Sequence, residues 1–265
     1  MNSEEYRRHT REFTALARRL TAGELERHFQ KLVAARPDDV EAVLGLVTCW
    51  WRNWHGAPYT ELRRLLVRLA RRNGHSAACW FELGLYLELG ELKYQGAVRC
   101  YKRAIHRDPS FFQAHLGLAW VGISRPHSVV YLSMEEAQWH ARRATEAEPD
   151  ELDGWLALGN ANAELGRTEE AIQAWERYLD IPLSTVLAAA TNPQRVREAY
   201  EETRATVRQQ IENVRQGRPY WVVTRLTSED IAAFPPKVRA LLRPEVLGHA
   251  RRRSEGESEP EGEGT

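Results

Sequence analysis

The sequence predicts an all-α fold assembled from repeated pairs of helices. Leu-Gly pairs recur along the chain at intervals of roughly 30 to 45 residues, a period typical of helical repeats. Each pair is followed, after a break, by a second amphipathic stretch, and most of these stretches end at a proline. The four pairs are Leu44-Gly45, Leu83-Gly84, Leu116-Gly117 and Leu158-Gly159.

The clearest unit shows why these residue types recur. Gly84 and Ala97 are small enough to let two helices approach closely, although glycine inside a helix costs about 1 kcal/mol relative to alanine. Trp80 and Tyr101 are large and would fill the space between helices. Pro109 cannot extend a helix, and it disfavours the helical conformation in the residue before it.

This set of anchors resembles the tetratricopeptide repeat family, whose pattern combines a Trp and a Leu-Gly pair with later alanine, aromatic and proline positions. A second unit repeats the pattern through Trp155, Gly159, Ala171, Trp175 and Pro182. The resemblance implies a right-handed α-solenoid of four to five helix-turn-helix repeats, with a C-terminal capping helix and an irregular extension. It also implies a concave face lined by the first helix of each repeat.

The chain divides into five predicted regions. These are a divergent N-terminal helix pair in residues 1–37, core repeats in 38–183, capping helices in 184–216, an extension in 217–248 and a disordered acidic tail in 249–265. The core contains the units 38–75, 76–109, 110–149 and 150–183. Two capping boxes, Thr21 with Glu24 and Ser133 with Glu136, predict where helices begin. An apolar stripe predicts one long capping helix from Gln194 to Gln216.

The resemblance also selects residues for the concave face. The family's lining positions, carried onto this sequence, give a mostly apolar groove that would hold a peptide or helix of a partner protein. The residues selected are Phe81, Leu85, Phe111, His115, Leu118, Leu156 and Asn160. In a second interpretation the groove is filled by the chain itself, with residues 220–226 of the extension lying back into it.

The resemblance implies a non-catalytic adaptor or scaffold within a larger complex, and composition and motifs are compatible with that role. The chain has 37 basic and 37 acidic residues, which excludes a strongly basic nucleic-acid-binding body. Hydrolase, metalloprotease and phosphate-loop motifs are missing from the sequence, so we expect no enzymatic activity, no cofactor and no metal. The three cysteines are expected to be buried thiols. Without an apolar run of membrane-spanning length, we expect a cytoplasmic protein with no membrane partner.

Three features leave alternatives open. Trp51 and Trp54 belong to an aromatic cluster that either packs in the core or forms a hot spot for a partner. One helix of the 38–75 unit carries arginines that either cover the outer face or contact RNA or DNA phosphates in a nucleoprotein complex. These are Arg63, Arg64, Arg68, Arg71 and Arg72. Self-association through the capping helix and residues 220–223 is compatible with either function.

Overall fold

The computed structural model describes residues 1–52, 58–123, 131–188 and 192–220, and these residues form α-helices joined by turns. Twelve α-helices lie within them. In chain order they are α1 (Ser3–Ala17), α2 (Ala22–Ala35), α3 (Val40–Arg52), α4 (Tyr59–Arg72), α5 (Ala77–Leu85), α6 (Tyr94–Arg107), α7 (Phe112–Ile123), α8 (Met134–Ala147), α9 (Leu152–Glu164), α10 (Thr168–Asp180), α11 (Leu183–Ala188) and α12 (Pro193–Arg215).

The middle of the chain is a stack of helix pairs. Helix α5 packs against α6, α7 against α8, and α9 against α10, and α8 also packs against α9 of the next pair. A single π-helical turn, Tyr86–Gly90, extends α5, and it brings Glu88 inward to accept a 2.7 Å hydrogen bond from the Tyr101 hydroxyl. The prediction of an all-α repeat fold is confirmed.

Glycines lie where helices approach most closely. A Cβ atom at Gly84 would lie 2.6 Å from the ring of Tyr101, and one at Gly117 would lie 2.8 Å from the opposite edge of the same ring. The Tyr101 ring therefore fits between α5 and α7 because Gly84 and Gly117 have no side chains. A Cβ atom at Gly159 would overlap the indole of Trp175 in the same way. The packing role predicted for these glycines is confirmed.

Local sequence signals set the helix ends. Thr21 with Glu24 and Ser133 with Glu136 form the two predicted capping boxes, at the starts of α2 and α8. The predicted apolar stripe of the long capping helix is also present, because Tyr200, Val207 and Ile211 of α12 are buried. None of the described helices is both long enough and apolar enough to cross a bilayer.

The C-terminal end of the described chain packs onto the last repeat. Helix α12 lies against α10, and the Tyr200 hydroxyl donates a 2.6 Å hydrogen bond to the carbonyl of Ile181. After α12 the chain turns so that Tyr220 packs on Trp175, with ring centroids 5.7 Å apart, and donates to Glu164. The predicted capping role of α12 agrees with these contacts.

Helix α1 differs from the predicted arrangement. The sequence suggested that residues 4–20 pair with α2 as a divergent repeat, and Phe13 does stack on Phe29 of α2 at 5.6 Å. The first half of α1, however, contacts α5 and the turns that precede α7 and α9. Helix α1 therefore crosses several repeats instead of completing one.

Candidate functional site

The concave groove, formed by the inner faces of α3, α5, α7 and α9, is occupied in part by α1. The Tyr6 ring lies against two predicted groove residues, with centroids 6.0 Å from Phe81 and 5.4 Å from Phe111. Phe81 and Phe111 themselves pack at 5.8 Å. Farther along α1, His9 and Phe13 line a small cavity together with Ala42 of α3. A helix of the same chain thus covers the groove across three repeats.

The N-terminal end of α1 is fixed by an acidic side chain at the turn between α6 and α7. The Ser3 amide and hydroxyl each donate to the carboxylate of Asp108, both at 2.6 Å. The Ser3 hydroxyl also lies 3.2 Å from that of Ser110. Burial raises the pKa of Asp108, but the hydrogen bonds from Ser3 and Ser110 outweigh it and keep that pKa below its usual value. Asp108 therefore stays ionised beside the positive end of the α1 dipole.

Glu82 is the buried polar centre of the groove. One carboxylate oxygen accepts a 2.7 Å hydrogen bond from the Tyr6 hydroxyl, and the other accepts a 3.1 Å bond from the Trp51 indole. Burial raises the pKa of Glu82, and the two hydrogen bonds oppose that rise. Burial, together with the neighbouring Glu82, also raises the pKa of Tyr6 well above its usual value. Because a buried carboxylate without a donor is costly, the Tyr6 hydroxyl and the Trp51 indole together stabilise Glu82 at this position.

Acidic side chains surround the rest of α1. Arg7 lies 3.4 Å from Glu148, and Arg8 lies 3.5 Å from Glu41. Burial raises the pKa of Glu148, which the charge of Arg7 opposes. Asp153 on α9 is exposed, but the surrounding protein limits its solvation and raises its pKa. The groove is therefore more acidic than the mostly apolar groove that the sequence suggested.

The predicted lining residues fall into two groups. Phe81, Phe111, His115 and Leu118 are buried. Leu85, Leu156 and Asn160 remain partly exposed, and Asn160 accepts a 3.1 Å hydrogen bond from the Trp175 indole. Partner binding by these residues stays a prediction. The expectation of an open surface at Phe81 and Phe111 is corrected, because Tyr6 covers both rings.

His115 belongs to a buried histidine pair. Its Nε2 lies 3.0 Å from the carbonyl of Pro109, which can only accept, so His115 carries its proton there. Its Nδ1 must then accept from Nδ1 of His140, 2.9 Å away. Burial and the neighbouring His115 lower the pKa of His140 to about 3. The pair is neutral near pH 7, and His115 supplies no positive charge to the groove.

The tryptophan cluster is divided between the core and the edge of the groove. Trp50 is buried, and its indole donates a 2.9 Å hydrogen bond to Glu26 of α2. Trp51 is half-buried, and its indole is engaged by Glu82. Trp54 lies outside the described residues. A hot-spot role for Trp51 and Trp54 stays a prediction.

The arginines of α4 are exposed, and three of the five are paired. Arg63 lies 2.8 Å from Glu91, while Arg68 and Arg72 both contact Asp38. The remaining two, Arg64 and Arg71, are exposed. Because carboxylates oppose much of this charge, the face offers fewer free cations than the sequence suggested. Nucleic-acid binding here stays a prediction.

The occupant of the groove was not identified from the sequence. In the second interpretation residues 220–226 lie back into the groove, but Tyr220 lies on Trp175, and residues 221–226 are outside the described residues. Tyr6, His9 and Phe13 share one face of α1, which is the spacing of an amphipathic docking helix. A further signal is that α1 lacks the Leu-Gly pair that marks the first helix of a repeat here.

Tandem helix pairs with glycines at their contacts define a helical-repeat protein. Residues 86–125 and 135–182 match the tetratricopeptide repeat family. This part of the chain therefore consists of tetratricopeptide repeats. Such repeats support a general role as a protein–protein interaction adaptor, and proteins of this family are generally non-catalytic scaffolds.

Several solved structures are similar to parts of this chain at low sequence identity. A thermophilic tetratricopeptide repeat protein of Thermus thermophilus, TTC0263, is 17% identical, with a TM-score of 0.49, covering 73% of this chain and 97% of its own. MamA is 21% identical, with a TM-score of 0.46 and coverage of 58% and 85%. YrrB, described as having an unusual peptide-binding site, is 20% identical, with a TM-score of 0.43 and coverage of 66% and 88%. No curated protein sequence matches the chain.

Proposed function

We propose that this protein is a non-catalytic adaptor whose concave groove binds a helical segment of a partner protein. The observation that carries the proposal is that the groove already holds a helix, α1. Tyr6 packs against Phe81 and Phe111, and the helix N-terminus is held at Asp108. A groove with the width and anchors for one amphipathic helix is suited to another of similar shape.

The α9 end of the groove gives a second argument for the proposal. Leu156 and Asn160 are partly exposed, and Asp153 is exposed beside them. These side chains extend the groove beyond the contacts of α1, so a partner can engage them while α1 is in place. A binding surface that begins at α9 and continues under α1 fits a partner longer than α1 itself.

Site-specific photo-crosslinking tests this proposal in the full chain. The variant Leu156→p-benzoylphenylalanine places the probe in the groove, and the same substitution at the exposed Gln173 of α10 is the matched control. A third probe at Arg71 reports on the outer arginine face. Substitution of Phe81 or Phe111 by a charged residue is avoided, because both rings are buried and such a change would unfold the protein.

We expect a protein adduct from cells at position 156 that is missing at 173. Protein adducts at 173 with none at 156 would contradict binding in the groove. RNA or DNA adducts at 71 without protein adducts at 156 would favour the nucleic-acid alternative.

A further inference from the structure

We infer that α1 occupies the place of a partner helix in the groove and that the partner displaces it. The partner is a basic amphipathic helix carrying a tyrosine followed by an arginine or lysine. This inference rests on the proposed function, that the groove binds a helix of another protein. It adds the chemistry of that helix and the condition for its binding along the part of the groove that α1 covers, which is release of α1.

Few side chains of α1 are fully buried, while Tyr6, Leu16 and Ala17 pack against the core and remain partly exposed. Of its fifteen residues, only His9 and Phe13 are buried. In α5, by comparison, seven of nine residues are buried. A helix that buries so little of its surface opens at lower free energy than the helices of the core. Release of α1 leaves intact the glycine and alanine contacts among the stacked helices α5 to α10.

Glu82 specifies an aromatic hydroxyl in the occupant. When α1 leaves, one buried oxygen of Glu82 loses its donor, while the other keeps the Trp51 indole. The replacement donor must reach Glu82 across the rings of Phe81 and Phe111, against which the Tyr6 ring packs. Tyrosine satisfies both requirements, because it joins an aromatic ring to a hydroxyl.

The remaining groove contacts specify positive charge. Four acidic residues of the described groove meet α1 through a hydrogen bond or ion pair. They are Glu41, Glu82, Asp108 and Glu148. Two of them face arginines of α1, and Asp108 faces the helix N-terminus. An acidic helix in this position would place like charges together, so the groove discriminates against it.

The spacing of the anchors defines a pattern. Ser3, Tyr6 and Arg7 occupy one face of α1 at positions i, i+3 and i+4, and they meet Asp108, Glu82 and Glu148 respectively. A partner helix is expected to carry a small hydroxyl residue, then tyrosine, then a basic residue at the same spacing.

Binding of a labelled peptide to the full chain tests the inference. The probe is a fluorescent synthetic peptide with the sequence of residues 1–20, and fluorescence anisotropy gives its Kd. A tethered α1 competes at an effective concentration of about millimolar, so the wild-type chain should bind the probe weakly. The double variant Tyr6→Ala/Arg7→Ala weakens the tethered helix and should bind the wild-type probe at least tenfold more tightly. Thr10→Ala, on the exposed side of α1, is the matched control and should leave the Kd unchanged.

A reversible disulfide that fixes α1 in the groove provides an independent test of the inference. The hydroxyls of Ser3 and Ser110 are 3.2 Å apart, so Ser3→Cys with Ser110→Cys places two thiols within disulfide reach. The native cysteines are all buried and are protected from the oxidant. The oxidised variant should bind the probe at least tenfold more weakly than the same variant after reduction.

The outcomes separate the inference from the proposed function. Equal probe affinity in the oxidised and reduced variants overturns the inference, and this arm does not depend on the folding of the Tyr6→Ala/Arg7→Ala chain. If position 156 still crosslinks to a partner in that case, the proposed function stands and α1 is a permanent part of the fold. If lock and release both change probe affinity but no partner crosslinks at 156, α1 is displaceable, but the adaptor function fails and the inferred partner helix fails with it.

Discussion

The substitution Gly159→Ala tests the close packing on which the repeat stack depends. Gly159 lies in the middle of α9 and faces the indole of Trp175 on α10, which is fully buried. A methyl group at this position would overlap three atoms of that ring. The indole also donates a hydrogen bond to Asn160, so it cannot move away without losing that bond.

The expected cost follows from three contributions. Overpacking a rigid, buried ring costs about 3 kcal/mol, the upper part of the usual range. Loss of the hydrogen bond between Trp175 and Asn160 costs about 1 kcal/mol. Alanine is a better helix former than glycine, and this returns about 1 kcal/mol. The net loss is therefore about 3 kcal/mol, which corresponds to a fall in Tm of about 6–12 °C for a domain of this size.

Thermal and urea unfolding, followed by circular dichroism at 222 nm, measure this loss. The matched control is Gly23→Ala in α2, where an added Cβ would have no neighbour within 4 Å. That variant should be unchanged or up to about 1 kcal/mol more stable. A Gly159→Ala protein as stable as the wild type would refute the argument that small residues set the helix spacing.

Three further substitutions test other parts of the account. Ser133→Ala removes the capping-box side chain of α8 and should lower the free energy of unfolding by about 1 kcal/mol, measured by urea titration. His140, which faces His115 and Lys102, has its pKa lowered to about 3 by burial. As pH falls below about 6.5, the unfolded chain takes up a proton at His140 that the folded chain refuses, so stability declines by up to about 1.4 kcal/mol per pH unit. Between pH 6 and 4, His140→Gln should reduce the slope of unfolding free energy against pH by the equivalent of one bound proton. An unchanged slope would show that His140 titrates normally in the folded chain. In the labelled 1–20 peptide, Tyr6→Phe removes only the hydroxyl that donates to Glu82. This change should weaken binding of the peptide to the Tyr6→Ala/Arg7→Ala chain by roughly tenfold. Equal affinity of the two peptides would mean that the hydroxyl is not recognised.

The sequence predicts the repeat stack well because its signals are local. The Leu-Gly pair at Gly84 and the aromatic anchor at Tyr101 belong to adjacent helices, and they meet in the structure as their types require. The capping box at Ser133 and the apolar stripe of α12 depend only on neighbours in the same helix. Each of these patterns fixes a contact over a short stretch of chain.

The docking of α1 could not be predicted in the same way. Tyr6 and Glu82 are 76 positions apart, and Ser3 and Asp108 are 105 positions apart. No periodicity links such residues, and Phe81 is equally compatible with an open groove and a covered one. The acidic character of the groove was missed for a related reason: Glu82 and Glu148 converge only after several repeats have stacked.

Hydrogen exchange measured by mass spectrometry on the full chain tests the central claim most directly. If α1 is a displaceable occupant of the groove, the amides of α1 open independently of the repeats. They should then exchange at least tenfold faster than the amides of α7 and α9 under native conditions. Amides of α1 that exchange in step with those of α7, and therefore only through global unfolding, would contradict this account.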